Sequence, residues 1–102
     1  MVIRYSRQLI DSSDVRNVIK TLNSDWLTTG PSIEKFEKEI CKKVNSNYGV
    51  AVNSATSALH IACKSLGLTN KDILWTSSNT FLSSANCGLY CGAKIDLVDI
   101  DL

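Results

Sequence analysis

The chain has 102 residues, of which 44% are hydrophobic and 21% are charged, and its formal net charge is +1. This length allows one domain at most, and the balance of charge argues against nucleic acid or an acidic membrane surface as a partner. No apolar run approaches the ~20 residues of a membrane helix, and the short apolar run at the N-terminus is no signal peptide. We therefore expect a cytoplasmic protein.

The four cysteines lie within helical patterns and form no CxxC pair of the kind that binds zinc. Cys87 and Cys91 have the spacing that places two thiols on one face of a helix, but no histidine is near them in the sequence. We expect buried, reduced thiols and no metal site.

The first part of the chain predicts two amphipathic helices joined by a loop. The first helix covers residues 12 to 22, with an N-cap among residues 11 to 13. The second begins at Pro31, because proline suits the first position of a helix, and continues to about Asn45. The loop contains Trp26, and on the pattern alone we favour a core-filling side chain over any other role.

From Tyr48 onward the pattern predicts the order β-α-β-α-β. The strands are expected at Tyr48 to Val52, Ile73 to Thr76 and Ile95 to Ile100. One helix is expected from near Thr56, with Gly67 just past its end, and another from Ser77–Thr80 to about Tyr90. Strands separated by helices favour parallel pairing with right-handed crossovers. The expected fold class is therefore α/β.

A turn of small polar residues connects the first strand to the next helix. The strand breaks at Asn53 and Ser54, and the helical spacing follows at once. The first turn of a helix has unpaired backbone N–H groups and the positive end of the helix dipole, so it suits a phosphate. Serine and threonine are also ordinary N-caps, and both interpretations stay open at this point.

A second polar segment, Ser77-Ser78-Asn79, follows the next predicted strand in the same way. Ligands of open α/β sheets lie beyond the carboxyl ends of the strands. We therefore expect this segment and Asn53-Ser54 to line one site.

Several motifs follow one another in a characteristic order. They are Trp26-Leu27-Thr28-Thr29-Gly30-Pro31, Phe36-Glu37, Asn53-Ser54-Ala55-Thr56-Ser57-Ala58-Leu59, Asn79-Thr80-Phe81 with Ala85-Asn86, and Val98-Asp99-Ile100-Asp101. Together they resemble the DegT/DnrJ/EryC1/StrS family of pyridoxal phosphate-dependent sugar aminotransferases. The Asn-Ser-Ala-Thr-Ser variant and Tyr5-Ser6-Arg7-Gln8 are most similar to the pseudaminic-acid branch, which aminates C4 of a UDP-4-keto-6-deoxy-acetamido sugar with glutamate as donor.

The resemblance implies pyridoxal 5′-phosphate as cofactor and assigns roles to residues that match the family pattern. Ala55 and Thr56 would hold the cofactor phosphate through backbone N–H groups and the threonine hydroxyl, and Phe81 would stack on the pyridine ring. The residues expected to face the nucleotide-sugar are Tyr5, Asp25, Trp26, Leu27, Thr28 and Ser54. The family also implies a homodimer.

The implied fold is the large domain of the aspartate aminotransferase-like transferases, fold type I. Residues 1–102 would form an incomplete large domain, with an N-terminal helix and substrate loop in residues 1–31 and the start of the α/β sheet in residues 32–102. In this fold the first strand lies at one end of the sheet and the next two lie at the other. Tyr48 to Val52 would then have no native neighbour in this chain.

The same resemblance implies that the chain alone is inactive. Transamination needs a Schiff-base lysine and a carboxylate beside the pyridine nitrogen. None of the lysines (20, 35, 38, 42, 43, 64, 71 and 94) matches the first, and Asp96, Asp99 and Asp101 do not match the second. The alternative is a small non-catalytic α/β module that binds phosphate or oligomerises, a gene remnant. A dinucleotide-binding domain is disfavoured, since no Gly-x-Gly-x-x-Gly follows the first strand.

Overall fold

Four helices and two strands are formed in the computed structural model, which describes residues 6–101. They are α1 (Ser12–Leu22), α2 (Pro31–Val44), α3 (Ala55–Ser65), β1 (Ile73–Ser77), α4 (Ser83–Tyr90) and β2 (Lys94–Val98). The chain divides into two compact units, an N-terminal unit that ends at Val50 and a C-terminal unit that begins at Ala51. Helices α1 and α2 belong to the first unit, and the remaining elements belong to the second.

Helix α1 begins with a reciprocal capping box. The Asp11 Oδ1 atom accepts hydrogen bonds from the N–H groups of Ser13 (2.6 Å) and Asp14 (3.2 Å), and Asp14 Oδ2 accepts one from the Asp11 N–H at 2.9 Å. These bonds pair N–H groups that a helix N-terminus otherwise leaves without partners. The expected N-cap region is confirmed, and Asp11 is the residue that caps.

Helix α2 starts after Gly30, whose backbone lies close to the Trp26 side chain. Gly30 has φ +120° and a Cβ added there would lie 2.7 Å from Trp26 Cβ, so only glycine fits without strain. Pro31 occupies the beginning of the helix as the sequence predicts, and Asn45 ends it in the left-handed conformation with φ 53°.

The C-terminal unit is built on a parallel pair of strands. Strands β1 and β2 pair with Leu74 opposite Ile95. Helix α4 lies close to both, because a Cβ added at Gly88 would lie 2.7 Å from Ile95 Cδ1 and 3.0 Å from Leu74 Cβ. The parallel pairing predicted for these two strands is therefore confirmed.

The described residues bury very few side chains. Cys87 and Ala93 are the buried hydrophobic residues among them, each 3% exposed. All four cysteines are free. Burial raises the pKa of the Cys63 thiol, and a hydrogen bond with the Cys87 thiol raises it further.

Two predicted elements differ in the structure. Tyr48–Val52 forms no strand, and the sheet of the described residues consists of β1 and β2. Helix α4 begins at Ser83 and not at Ser77–Thr80, so Phe81 lies before the helix. The Ser77 hydroxyl accepts the Asn79 N–H at 3.1 Å, a local bond that competes with the start of a helix.

Within residues 6–101, no helix has both the length and the apolar character that a bilayer crossing requires.

Candidate functional site

The turn before α3 is organised by three polar side chains. Ser54 has an extended backbone (φ −158°, ψ 157°), and its Oγ accepts the Ser57 N–H at 3.2 Å. The Ser57 hydroxyl donates to Asn53 Oδ1 at 2.7 Å. Ser54 is therefore the N-cap of α3, and these bonds fix the path of the chain as it enters the helix.

The cap leaves two amides of this turn available. The Ser57 N–H donates to Ser54 Oγ and the Ala58 N–H donates to the Ser54 carbonyl at 3.1 Å. The N–H groups of Ala55 and Thr56 donate to no acceptor in the described part of the chain. Ala55 is exposed and Thr56 is half-buried, so the turn is not packed against protein. Capping and anion binding are therefore compatible here, since they use different N–H groups.

Phe81 lies in the segment between β1 and α4 of the same unit. Its side chain is 76% exposed, so it is not the core aromatic that a helical position would suggest. Thr80 Oγ1 and Ser84 Oγ lie 2.9 Å apart in a hydrogen bond beside it. The ring thus presents an open apolar face.

Ala55, Thr56 and Phe81 offer groups that a phosphorylated, planar cofactor can use. Two unpaired backbone N–H groups at a helix N-terminus suit a phosphate group, and an exposed phenylalanine suits a conjugated ring. These residues of the C-terminal unit therefore fit the phosphate group and the ring of pyridoxal phosphate.

The loop Asp25–Thr28 belongs to the N-terminal unit. Its path is fixed by Ser24, whose Oγ accepts the Trp26 N–H at 3.2 Å and donates to the Thr21 carbonyl at 2.8 Å. Asp25, Trp26, Leu27 and Thr28 are all exposed. Trp26 is 57% exposed, so the interpretation of this residue as a core-filling side chain is wrong. The predicted Tyr5 lies outside the described residues.

Sequence reasoning missed a cleft of about 560 Å³ in the N-terminal unit. We call it the α1–α2 cleft, since residues of both helices and of the loop between them line it. Among these residues are Lys20, Trp26, Lys35, Phe36 and Glu39. Each was interpreted in its own helix or loop, and no sequence pattern shows which helix faces meet.

Comparison with known proteins gives consistent matches. The model of the DegT/DnrJ/EryC1/StrS aminotransferase family matches residues 8–102. A UDP-4-amino-4,6-dideoxy-N-acetyl-beta-L-altrosamine transaminase of Campylobacter jejuni (strain 81-176) is 40% identical over 99 residues, which are 97% of this chain and 26% of that protein.

Two solved structures share the fold. The PLP form of Spr1654 from Streptococcus pneumoniae, described as a sugar aminotransferase, matches 97% of this chain and 25% of its own with a TM-score of 0.89 and 29% identity. Helicobacter pylori PseC, an aminotransferase of pseudaminic-acid biosynthesis, matches 96% of this chain and 27% of its own with a TM-score of 0.86 and 29% identity.

The fold class is therefore that of the α/β sugar aminotransferases, as the sequence predicts. The chain belongs to the DegT/DnrJ/EryC1/StrS aminotransferase family. It spans about a quarter of the length of the relatives it matches.

Proposed function

We propose that this chain is the N-terminal part of a pyridoxal phosphate-dependent nucleotide-sugar aminotransferase. The observation that carries the proposal is the family match over residues 8–102. The unpaired N–H groups of Ala55 and Thr56 at the start of α3 support it. This match favours an aminotransferase over a non-catalytic phosphate-binding module.

In this proposal the turn before α3 holds the cofactor phosphate. The N–H groups of Ala55 and Thr56 and the Thr56 hydroxyl donate hydrogen bonds to phosphate oxygens. The dipole of α3 adds about 0.3–1 kcal/mol, or up to ~2 kcal/mol where the site is partly buried. One helix end is too weak to hold the cofactor alone, so Phe81 contributes by stacking on the pyridine ring.

The chemistry of amino transfer belongs to the cofactor, which withdraws electrons from the carbon that gains or loses the amino group. The residues of this chain bind and orient the cofactor. All eight lysines are exposed and none matches the family's Schiff-base lysine, so we propose that residues 1–102 alone do not catalyse transamination.

The substrate proposal follows the relatives' names. We propose a UDP-4-keto-6-deoxy-N-acetyl sugar that is aminated at C4 with glutamate as donor, because the Campylobacter relative is named for the corresponding 4-amino product. Tyr5, Asp25–Thr28 and Ser54 are the proposed substrate contacts. Residues 1–31 would then carry the substrate loop, and residues 32–102 would begin the cofactor-binding sheet. A cytoplasmic homodimer completes the proposal.

Binding of pyridoxamine 5′-phosphate tests the phosphate turn. This ligand has no aldehyde and cannot react with the exposed lysines, so calorimetry or ³¹P NMR reports the non-covalent site alone. We expect the Thr56→Val substitution to weaken binding about tenfold, since one hydrogen bond to a charged group is worth about 1.5 kcal/mol. Pyridoxamine without the phosphate should bind much more weakly.

Thr29→Val is the matched control, because Thr29 is an exposed threonine of the N-terminal unit. It should bind pyridoxamine 5′-phosphate as the parent chain does. Equal affinity for pyridoxamine and its phosphate, or equal loss in both threonine variants, would contradict the proposed turn.

A further inference from the structure

Helices α3 and α4 pack against each other within the C-terminal unit. The ring of His60 in α3 contacts the ring of Tyr90 in α4 edge to face, with 5.2 Å between the ring centroids. Residues three positions apart are neighbours on one side of a helix. Cys63 follows His60 by three positions, so it lies on the side of α3 that meets α4. Cys87 precedes Tyr90 by three positions, so it lies on the side of α4 that meets α3.

The thiols of these two cysteines interact directly. The Cys63 thiol forms a hydrogen bond with the Cys87 thiol, and burial together with this bond raises the pKa of Cys63. Cys87 is 3% exposed, and its Sγ atom donates a hydrogen bond to the Ser84 carbonyl at 3.3 Å. Cys63 is half-buried, so a small molecule can reach it. One accessible thiol thus contacts a second thiol that the packing of α4 holds in place.

We propose that Cys63 and Cys87 form a redox modification site, at which hydrogen peroxide converts the two thiols into a disulfide between α3 and α4. The Cys63 thiolate attacks one peroxide oxygen, so the O–O bond breaks and a sulfenic acid forms. The Cys87 sulfur loses its proton and attacks the sulfenic sulfur, so the S–S bond forms and the S–O bond breaks. Two electrons pass from the sulfur atoms to the peroxide, which leaves as two molecules of water.

The native packing selects the pair that reacts. In an unfolded chain Cys91 is the expected partner of Cys87, because the short segment between them costs little entropy to close. In the native chain the contact of α3 with α4 places Cys63 beside Cys87 instead. The reduced pair is the resting form, and the disulfide is a transient form of the kind that redox-sensing thiols adopt in reducing compartments.

Peptide mapping under non-reducing conditions identifies the linked pair. The 102-residue chain is treated with hydrogen peroxide at mildly alkaline pH, where the Cys63 thiolate forms, and the remaining thiols are blocked with iodoacetamide before digestion. We expect the main crosslink to join Cys63 and Cys87, and to remove two of the four free thiols. In concentrated urea the main crosslink should join Cys87 and Cys91.

Serine variants test whether Cys63 is the partner. Cys63→Ser should abolish the crosslink between α3 and α4. Cys41→Ser in the N-terminal unit is the matched control and should leave the yield of that crosslink unchanged. Circular dichroism compares the helix content of the two variants. If Cys63→Ser loses helix, the comparison of the parent chain with and without urea still decides the question.

The disulfide should also stabilise the C-terminal unit. It closes a loop that contains β1, so it restricts the unfolded chain more than the folded one. We expect the peroxide-treated chain to unfold at a higher urea concentration than the reduced chain, and dithiothreitol to reverse this shift. Peroxide should cause no such shift in Cys63→Ser.

Several results would overturn the inference. They are the same distribution of crosslinks with and without urea, crosslinks that chiefly join separate chains, and oxidation of Cys63 to a sulfinic acid without a disulfide. An equal urea shift in the parent chain and in Cys63→Ser would also overturn it. Neither cofactor nor substrate enters these measurements, so their outcome is independent of the proposed function.

Discussion

Gly88 allows helix α4 to lie against the strands of the C-terminal unit. A Cβ at this position would be 2.7 Å from Ile95 Cδ1 and 3.0 Å from Leu74 Cβ, which is closer than ordinary contact. Gly67 is needed for a different reason. It has φ +77° after α3, and a Cβ there would meet nothing within 4 Å. The first glycine is required by packing, and the second by backbone conformation.

We expect Gly88→Ala to destabilise the C-terminal unit by about 1–2 kcal/mol, because overpacking outweighs the ~1 kcal/mol that alanine gains over glycine in a helix. Ile95→Val removes the Cδ1 atom nearest to the new methyl group. The double variant should therefore be less destabilised than the sum of the two single changes, as measured by urea denaturation.

Gly67→Ala provides the control. It should cost about 1 kcal/mol through backbone strain alone, and its effect should add to that of Ile95→Val without coupling. Equal coupling of Ile95→Val with both glycine substitutions would contradict the close contact of α4 with β2.

Helix termini show how local chemistry determines the elements of this chain. Asp11 and Asp14 form the cap of α1, Pro31 begins α2, and Ser54 caps α3. In each case a residue that caps or begins the helix precedes an apolar stripe with helical spacing, which is the signal that the sequence provides. The start of α4 has neither a side-chain cap nor a proline, and the sequence places it too early in the chain.

The capping box makes the stability of α1 depend on pH. Hydrogen bonds from the Ser13 hydroxyl and from the Asp14 and Ser13 N–H groups hold the pKa of Asp11 below its usual value of 3.8. A depressed carboxyl pKa stabilises the helix above pH 3.8, and this contribution is lost as the pH falls through the lowered value. The helical signal of α1 should therefore decrease below about pH 4.

NMR titration of the Asp11 carboxyl group and the Ser13 amide measures this effect. Both should titrate together, below pH 3.8. Asp11→Asn retains a capping oxygen without the charge, and should leave the Ser13 amide independent of pH in this range. If the Ser13 amide signal depends on pH in Asp11→Asn as it does in the parent chain, the Asp11 cap is not the cause.

Across the whole molecule, exposed apolar surface is the dominant feature of the described residues. Trp75 is 70% exposed on β1, and Leu66 is 85% exposed after α3. None of the described residues of α1, α2 or α3 is buried. Apolar burial is the main favourable term in folding, so these elements receive little stabilisation from the packing that the structure shows.

We therefore expect the isolated chain to bind the dye anilinonaphthalene sulfonate strongly and to unfold with low cooperativity. Fluorescence of the dye and thermal circular dichroism measure these properties. A protein of similar length with a complete hydrophobic core is the control. Weak dye binding together with a sharp, two-state transition would show that the exposed faces are covered in solution, for example by self-association, which sedimentation detects.

The sequence by itself determined which segments become helices, where three of them begin, and the family to which the chain belongs. These properties depend on neighbouring residues: the spacing of apolar side chains, the cap residues and the order of short motifs. Ala55, Thr56 and Phe81 could be identified as candidate site residues for the same reason.

The tertiary structure decided what depends on distant partners. It showed that Tyr48–Val52 lacks a paired strand, that Trp26 is exposed, and that two helices of the N-terminal unit form a cleft with Lys20 and Lys35 on its wall. A strand pairs with a second strand, and a cleft forms between two surfaces. The residue pattern of one segment does not specify which distant segment it will pair with or pack against.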